Sequence, residues 1–221
     1  MKRGMMRGWV FTIVVLVMPA GIVSAVPSWV SIDVSGLSGT DLQLEIALYD
    51  NSGVIGDSWA LIDNVVLGTI LDDFEDGTIG GFDSSLNPSS VWAAPGSLVG
   101  GGNYVLRIDE DASVTPTITF RDYTGWVATT LSFDFEMNAS STAGPFGLLD
   151  ELVFSILDPV TLYPLLPSLT TGYGDVLAVN AAGMKHTGDV SVTVIPAPPA
   201  LLLVCIGFAG VGLWKRLCKA A

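Results

Sequence analysis

The fold class is decided by the stretch Leu131-Ser132-Phe133-Asp134-Phe135-Glu136-Met137, in which apolar and polar side chains alternate. Successive side chains of a β-strand point to opposite faces, so this alternation predicts a strand with one buried and one polar face. Residues 41–48 (Asp-Leu-Gln-Leu-Glu-Ile-Ala-Leu) alternate in a similar way. Shorter apolar stretches predict further strands at 105–109, 115–120, 152–157, 176–180 and 190–194.

Clusters of turn-forming residues separate these predicted strands. Gly, Pro, Asn, Asp and Ser are concentrated at 50–53, 87–90, 100–103, 158–159 and 172–175, and each of these residue types favours turns. No amphipathic helix is evident between the two ends of the chain. Many short strands joined by turns predict an all-β domain, a β-sandwich of the jelly-roll type.

The charges of the 221-residue chain are strongly segregated. All 22 carboxylates lie within 33–189, and six of the nine Lys and Arg residues lie outside that range. The body at 26–195 is therefore very acidic, which argues against partners such as nucleic acid or anionic lipid and suits divalent cations or neutral, hydroxyl-rich partners. The body has no cysteine, since Cys205 and Cys218 lie near the end, and the chain has one histidine. A disulfide framework, a thiol nucleophile and a His-based metal cluster in the body are thereby excluded.

Residues 1–25 have the pattern of a secretory signal peptide. Three basic residues precede an apolar run at 9–18, Pro19 ends that run, and Val23-Ser24-Ala25 supplies small residues for cleavage after Ala25. This pattern predicts export by the Sec machinery. The alternative is a membrane anchor that is retained.

A second apolar segment lies at the C-terminus. Residues 196–214 carry no charge and would form a helix of roughly 28 Å, close to the ~30 Å hydrocarbon core of a bilayer. Lys215, Arg216 and Lys219 follow, and such basic residues stay on the cytoplasmic side. We expect a transmembrane helix with a cytoplasmic C-terminus and the body across the membrane. The alternative is a buried core helix.

The C-terminal region at 196–221 resembles the PEP-CTERM sorting signal. The resemblance rests on Pro196-Ala197-Pro198-Pro199, the apolar segment that ends at Trp214 and the basic cluster after it. Ala197 stands where the family usually has Glu. The prolines disfavour helix and strand, so the motif would be an extended segment just outside the bilayer. The alternative is a plain membrane anchor with a Pro-rich helix start.

This resemblance implies a destination and a set of partners. The family's members are exported by bacteria that also make exopolysaccharide, and a membrane protease-transpeptidase, exosortase, processes them near the motif. It therefore implies an inner-membrane intermediate and a final position at the cell envelope surface or in the extracellular matrix, with exopolysaccharide or another glycan as a partner.

The body itself resembles the jelly-roll ectodomains that accompany PEP-CTERM signals. Residues 132–135 and 154–165 resemble the middle of that domain, 32–39, 48–50 and 60–65 its closing strands, and 71–77 (Leu-Asp-Asp-Phe-Glu-Asp-Gly) the opening strand of galactose-binding-like carbohydrate modules. Here the closing piece at 28–67 precedes the opening and middle piece at 71–194. One interpretation is a circular permutation joined at Gly68-Thr69-Ile70. The alternatives are the stub of a lost domain before an incomplete one, or completion by a neighbouring chain.

The loop with Asp72, Asp73, Glu75 and Asp76 is the predicted metal site. Closely spaced carboxylate oxygens suit Ca²⁺, and the resemblance to galactose-binding-like modules implies Asp63 as a further ligand. The alternative is a solvated acidic turn. No other cofactor is expected, and Asp109-Glu110-Asp111 is expected to be an exposed loop.

The sequence predicts no enzyme. Asp134 and Glu136 share one face of a strand, as the paired carboxylates of a glycosidase could. A strand of a β-sandwich with one solvent-exposed face has the same pattern. His186 is expected in a surface turn. Some aromatic residues could stack on sugars if exposed: Trp29, Trp59, Trp92, Tyr123 and Trp126. The expected function is that of an exported structural or adhesive surface protein. The alternatives are a membrane-anchored carbohydrate-binding module and a small glycoside hydrolase.

Overall fold

The structure, a computed structural model, describes residues 27–53, 57–98, 102–110, 116–140, 143–144, 147–170 and 173–195. The predicted signal peptide at 1–25 and the C-terminal region at 196–221 lie outside this part of the chain. Within the described ranges there is no helix long and apolar enough to cross a membrane.

The described residues form 13 β-strands and two short 3-10 helices, at Ser35–Leu37 and Pro88–Ser90. The strands are β1 (Ser28–Asp33), β2 (Leu42–Tyr49), β3 (Trp59–Leu67), β4 (Ile70–Asp72), β5 (Asp83–Leu86), β6 (Val91–Pro95), β7 (Tyr104–Asp109), β8 (Thr117–Tyr123), β9 (Thr130–Asn138), β10 (Glu151–Leu157), β11 (Asp175–Asn180), β12 (Gly183–His186) and β13 (Val190–Val194).

The strands pair into two antiparallel sheets. The first sheet has the order β13-β1-β9-β3-β7-β6, with β4 also paired to β3, and the second has the order β12-β11-β10-β2-β8-β5. Most connections cross from one sheet to the other, so each sheet is built from strands that are distant in sequence. This arrangement places the ends of β2, β7 and β10 near one another, although these strands belong to different sheets.

The core lies between the two sheets and follows the alternation in the sequence. The apolar residues of β9 are buried, and β2 buries its alternate residues Leu42, Leu44, Ile46 and Leu48. Phe133 of the first sheet stacks on Phe154 of the second, with ring centroids 4.7 Å apart. The prediction of an all-β body with two packed antiparallel sheets is confirmed for the described residues.

The first three strands lie inside the sheets. Strand β1 pairs with β9 and β13, β2 pairs with β8 and β10, and β3 pairs with β7 and β9. Leu67 pairs with Ile70, so Gly68 and Thr69 form the turn of the β3–β4 hairpin, and Gly68 has a φ of 62°. The strands of residues 28–67 therefore complete both sheets formed by the later strands.

Three strands were not predicted from the sequence: β5, β6 and β12. Strand β12 forms the edge of the second sheet and exposes all four of its side chains, so it has no alternating apolar pattern. His186 accordingly ends a strand, where the sequence predicted a turn, although it is exposed as expected.

Candidate functional site

Two of the predicted metal ligands, Asp63 and Asp72, are buried side chains with protein partners. Asp72 forms an ion pair with Arg121 at 3.0 Å, and burial raises the pKa of Asp72 while the Arg121 charge opposes that rise. Asp63 accepts a hydrogen bond from the Asn64 backbone N–H at 2.8 Å. Burial raises the pKa of Asp63 to about 6, so this carboxyl holds a proton more readily than an exposed one.

The other three predicted ligands lie in the loop that follows β4 and accept hydrogen bonds, Asp73 and Asp76 from within the loop and Glu75 from Asn103 before β7. Asp73 accepts a hydrogen bond from the Glu75 N–H at 3.3 Å. Glu75 accepts hydrogen bonds from the backbone and side-chain amides of Asn103, and Asp76 accepts from the N–H and hydroxyl of Thr78. These bonds account for the local structure of the loop without a metal ion.

A different group of carboxylates is brought together by the fold. Among the described residues, Asp50, Glu110 and Asp150 are the one group of three Asp, Glu, His or Cys side chains whose ligand atoms all lie within 4.8 Å of one another. The five residues predicted from the sequence form no such group, and their Ca²⁺ role stays a prediction. Asp50 directly follows β2, Glu110 directly follows β7, and Asp150 directly precedes β10.

Asp150 is the fixed centre of this acidic group. It is fully buried, and its Oδ1 accepts hydrogen bonds from the backbone N–H groups of Asn51 at 2.8 Å and Ser52 at 2.6 Å. Its Oδ2 accepts from the hydroxyl of Ser58 at 2.7 Å. The turn at 50–53 thus wraps around this carboxylate, because its backbone donors need an acceptor once they are buried.

Glu110 lies beside Asp150 and is only 6 % exposed. Its Oε1 accepts a hydrogen bond from the Asp57 backbone N–H at 2.7 Å, whereas its buried Oε2 has no hydrogen-bond partner among the described residues. Burial raises the pKa of Glu110 to about 7, and the nearby charges of Asp57, Asp150 and Asp50 add to that rise. The expectation that 109–111 forms an exposed loop is wrong for Asp109, which ends β7, and for Glu110, which is buried; Asp111 lies outside the described residues.

Asp50 completes the acidic group. Its Oδ1 accepts hydrogen bonds from the Gly53 N–H at 2.8 Å and the Ser52 hydroxyl at 3.4 Å. The same hydroxyl lies 3.5 Å from Oδ1 of Asp57, so a fourth carboxylate borders the group. The side-chain atoms that this group offers to a metal ion are all oxygens, the ligand type that hard cations such as Ca²⁺ and Mg²⁺ prefer.

Asp134 and Glu136 lie on β9 as the sequence predicts. Asp134 is 6 % exposed and accepts a hydrogen bond from the Asn64 side-chain amide at 2.9 Å. It stands opposite Asp63 on β3 and Trp29 on β1. Burial raises the pKa of both Asp134 and Glu136. Asp134 is thus a buried residue of the first sheet, and its carboxylate is held by the hydrogen bond from Asn64.

A groove of about 180 Å³ opens on the outer face of the second sheet. It lies over β2, β10 and β11, and Tyr49 (36 % exposed) and Tyr173 (72 % exposed) contribute its aromatic surface. The other lining residues are Glu45, Glu151, Val153, Ser155, Thr170 and Asp175. Glu45, Glu151 and Asp175 line the same groove as Tyr49; burial raises the pKa of Tyr49, and the charges of these three carboxylates add to that rise.

The aromatic residues singled out from the sequence divide into two classes. Tyr123 and Trp126 are buried and cannot stack on a sugar, whereas Trp29 and Trp92 are 40 % and 38 % exposed. The guanidinium of Arg107 packs over the rings of Trp59 and Trp92, 5.3 and 5.6 Å from their centroids. These two rings are therefore already used for packing within the first sheet.

The predicted sorting motif Pro196-Ala197-Pro198-Pro199 and the basic residues Lys215, Arg216 and Lys219 lie outside the described residues. No protein-family model matches the chain, and neither do curated proteins or solved structures.

Proposed function

We propose that this chain is an exported bacterial protein of the cell surface or extracellular matrix, sorted through a PEP-CTERM-like C-terminal signal, with a structural or adhesive role. The observation that carries the proposal is the segregation of charge. All carboxylates lie within 33–189, and six of nine basic residues flank two apolar segments at the ends. An exported body between two membrane-targeting segments accounts for both features.

Each end of the chain has a separate task in this proposal. The signal peptide at 1–25 engages the Sec machinery and is removed after Ala25. The apolar segment before Lys215 then stops in the inner membrane, because the basic tail stays cytoplasmic. An exosortase-type protease cuts near the extended motif at 196–199 and releases the body to the envelope or matrix. This step requires a motif that is accessible outside the bilayer.

The body that is delivered is one jelly roll with permuted strand order. The support for this part of the proposal is the position of β1, β2 and β3 inside sheets that are otherwise built from residues 70–194. Gly68 and Thr69 make the turn between the last of these strands and β4. A short join of this kind is what fusion of two neighbouring chain ends would require.

The role of the body is binding or structural, with no catalytic step. Asp134 is engaged by Asn64 at 2.9 Å. If catalysis by Asp134 and Glu136 were the function, the double variant Asp134→Asn with Glu136→Gln would abolish any hydrolysis of purified exopolysaccharide. Our proposal expects no hydrolysis by the wild-type chain, measured as new reducing ends.

The proposal is tested by fractionation of a Gram-negative host that carries an exosortase. We expect to find the wild-type chain in the envelope or medium. A chain that ends at Ile195 should be released without a membrane intermediate. A chain in which Lys215, Arg216 and Lys219 are changed to Gln should be poorly retained in the membrane. Accumulation of all three chains in the cytosol would refute export.

The groove on the second sheet favours a second function, a membrane-anchored carbohydrate-binding module. Tyrosines beside carboxylates are suited to a neutral sugar, because aromatic rings stack on its apolar face while carboxylates accept bonds from its hydroxyls. The groove of about 180 Å³ is smaller than the roughly 300–1,000 Å³ of a typical ligand pocket, so it suits one sugar ring rather than a long chain.

Affinity electrophoresis in gels that contain the host's exopolysaccharide tests this second function. Tyr173→Ala and Tyr49→Ala should abolish retardation, whereas Tyr163→Ala, which removes an equally exposed tyrosine outside the groove (73 % against 72 %), should not. Equal retardation of all three variants would exclude the groove as the glycan site.

A further inference from the structure

We propose that Asp50, Glu110 and Asp150 bind one Ca²⁺ ion at the end of the sandwich where β2, β7 and β10 meet. Their ligand atoms all lie within 4.8 Å of one another. Ca²⁺ is held by oxygens at about 2.3–2.6 Å, so a single ion placed among the three carboxylates would contact one oxygen of each with only small side-chain movements.

An atom without a partner points to a ligand at this position. Oε2 of Glu110 is buried and accepts no hydrogen bond from any residue that the structure describes, although Oε1 of the same carboxylate accepts from the Asp57 N–H at 2.7 Å. A buried polar atom without a partner destabilises the fold, and a charged one does so more strongly. A cation among the three carboxylates would satisfy this oxygen.

In the described part of the chain, no Lys or Arg forms an ion pair with the acidic group. Among the described residues the two ion pairs are Arg107 with Asp109 and Arg121 with Asp72, and neither involves the acidic group. Lys185, the remaining base of the body, is exposed on the edge strand β12. Buried carboxylates at this spacing repel one another unless a cation or protons neutralise them.

The chemical type of the ligand atoms indicates which cation the site binds. The three ligands are carboxylates, and Asp57 and the Ser52 hydroxyl lie next to them, so the site offers oxygen and neither imidazole nor thiolate. Zn²⁺ favours nitrogen and sulfur ligands, and Mg²⁺ demands near-ideal octahedral geometry. Ca²⁺ accepts 6–8 oxygens in irregular arrangements, which suits ligands contributed by three separate connections of the fold.

Calcium would link the two sheets at this end of the sandwich. Asp50 and Asp150 adjoin strands of the second sheet, and Glu110 adjoins β7 of the first. We therefore expect bound Ca²⁺ to raise the melting temperature. At a free Ca²⁺ concentration of 100 Kd the expected shift is about 5–10 °C for a chain of this size.

The test is calorimetric titration and thermal melting of the full-length chain in a non-ionic detergent, after removal of metal with EDTA. CaCl2 should bind in a 1:1 ratio and raise the melting temperature, and MgCl2 at the same concentration should raise it much less. Absence of binding heat and of any shift at 10 mM CaCl2 would overturn the proposal.

Substitutions locate the site. Glu110→Gln keeps an acceptor for the Asp57 N–H but removes the charge, so it should weaken Ca²⁺ binding at least about tenfold. In EDTA the same variant should melt at or above the wild-type temperature, because one of three repelling charges is gone. A purely structural role for Glu110 would instead lower the melting temperature in EDTA.

A second variant and a control complete the design. Asp50→Asn should also weaken Ca²⁺ binding, and it serves if Glu110→Gln fails to fold. Asp76→Asn, in the acidic loop predicted from the sequence, should bind Ca²⁺ as the wild type does. If Asp76→Asn loses binding while Glu110→Gln and Asp50→Asn keep it, the site lies in that loop and the proposal is wrong.

Discussion

Replacing Phe154 with alanine probes the contact that joins the two sheets. The Phe154 side chain is fully buried. Its ring stacks on Phe133 of the opposite sheet at 4.7 Å and meets Phe135 edge-on at 5.6 Å. The substitution leaves a cavity at the centre of the core and removes two aromatic pairs.

The expected loss of stability follows from this burial. Truncation of a buried phenylalanine to alanine costs about 3–5 kcal/mol. For a domain of 150–250 residues each kcal/mol lowers the melting temperature by about 2–4 °C, so Phe154→Ala should melt about 6–20 °C below the wild type.

The assay is thermal melting followed by near-ultraviolet circular dichroism. Tyr163→Ala is the control, because this aromatic ring is 73 % exposed and an exposed substitution usually changes stability by less than about 0.5 kcal/mol. If Phe154→Ala shifted the melting temperature no more than Tyr163→Ala does, the described packing of the two sheets would be wrong.

Three further predictions concern the hairpin, one buried carboxyl and the order of the strands. Gly68→Ala should lower the free energy of unfolding in urea by about 1–2 kcal/mol, because φ is +62° and the new Cβ would lie 2.7 Å from a carbonyl oxygen of the β8–β9 loop. The control Gly36→Ala, whose new Cβ meets nothing within 4 Å, should be nearly neutral. Equal effects of the two substitutions would contradict the described turn. Since the pKa of Asp63 is raised to about 6, its unfolded form releases the proton first and the free energy of unfolding falls as the pH rises from about 4 to about 6. Asp63→Asn should flatten the melting temperature over that range and exposed Asp41→Asn should not; a flattening by both would argue against Asp63. A polypeptide of residues 71–195 should show no cooperative melting, because it lacks the interior strands β1, β2 and β3, and a cooperative monomer would refute the permuted domain.

The elements that the sequence predicts well are those with a local signal. In strands β2 and β9 every second residue is apolar and faces the core, so alternation identifies them, although Gln43, Ala47 and Asp134 between those positions are buried as well. Strand β12 lies at an edge with all side chains exposed, and β5 spans only Asp83–Leu86 at the other edge of the same sheet. Such short or solvent-facing strands are fixed by pairing with a neighbour, which a single stretch of sequence does not record.

The candidate metal site, unlike strands β2 and β9, has almost no local signal in the sequence. Asp72, Asp73, Glu75 and Asp76 are close in sequence, which is why the sequence predicts a metal site there. In the structure Asp73 and Asp76 accept local hydrogen bonds, Glu75 accepts from Asn103, and Asp72 pairs with Arg121. The acidic group that the structure assembles comes from three connections far apart in the chain. Its only sequence signal was the turn at 50–53, whose N–H groups surround Asp150.

Export with removal of both ends is tested most directly by mass spectrometry of the terminal peptides of the chain recovered from its native bacterium. We expect a mature N-terminus at Val26 and a C-terminus that lacks the basic residues after Trp214, in protein from the envelope or the medium. An intact chain from Met1 to Ala221 in the cytosol would contradict it.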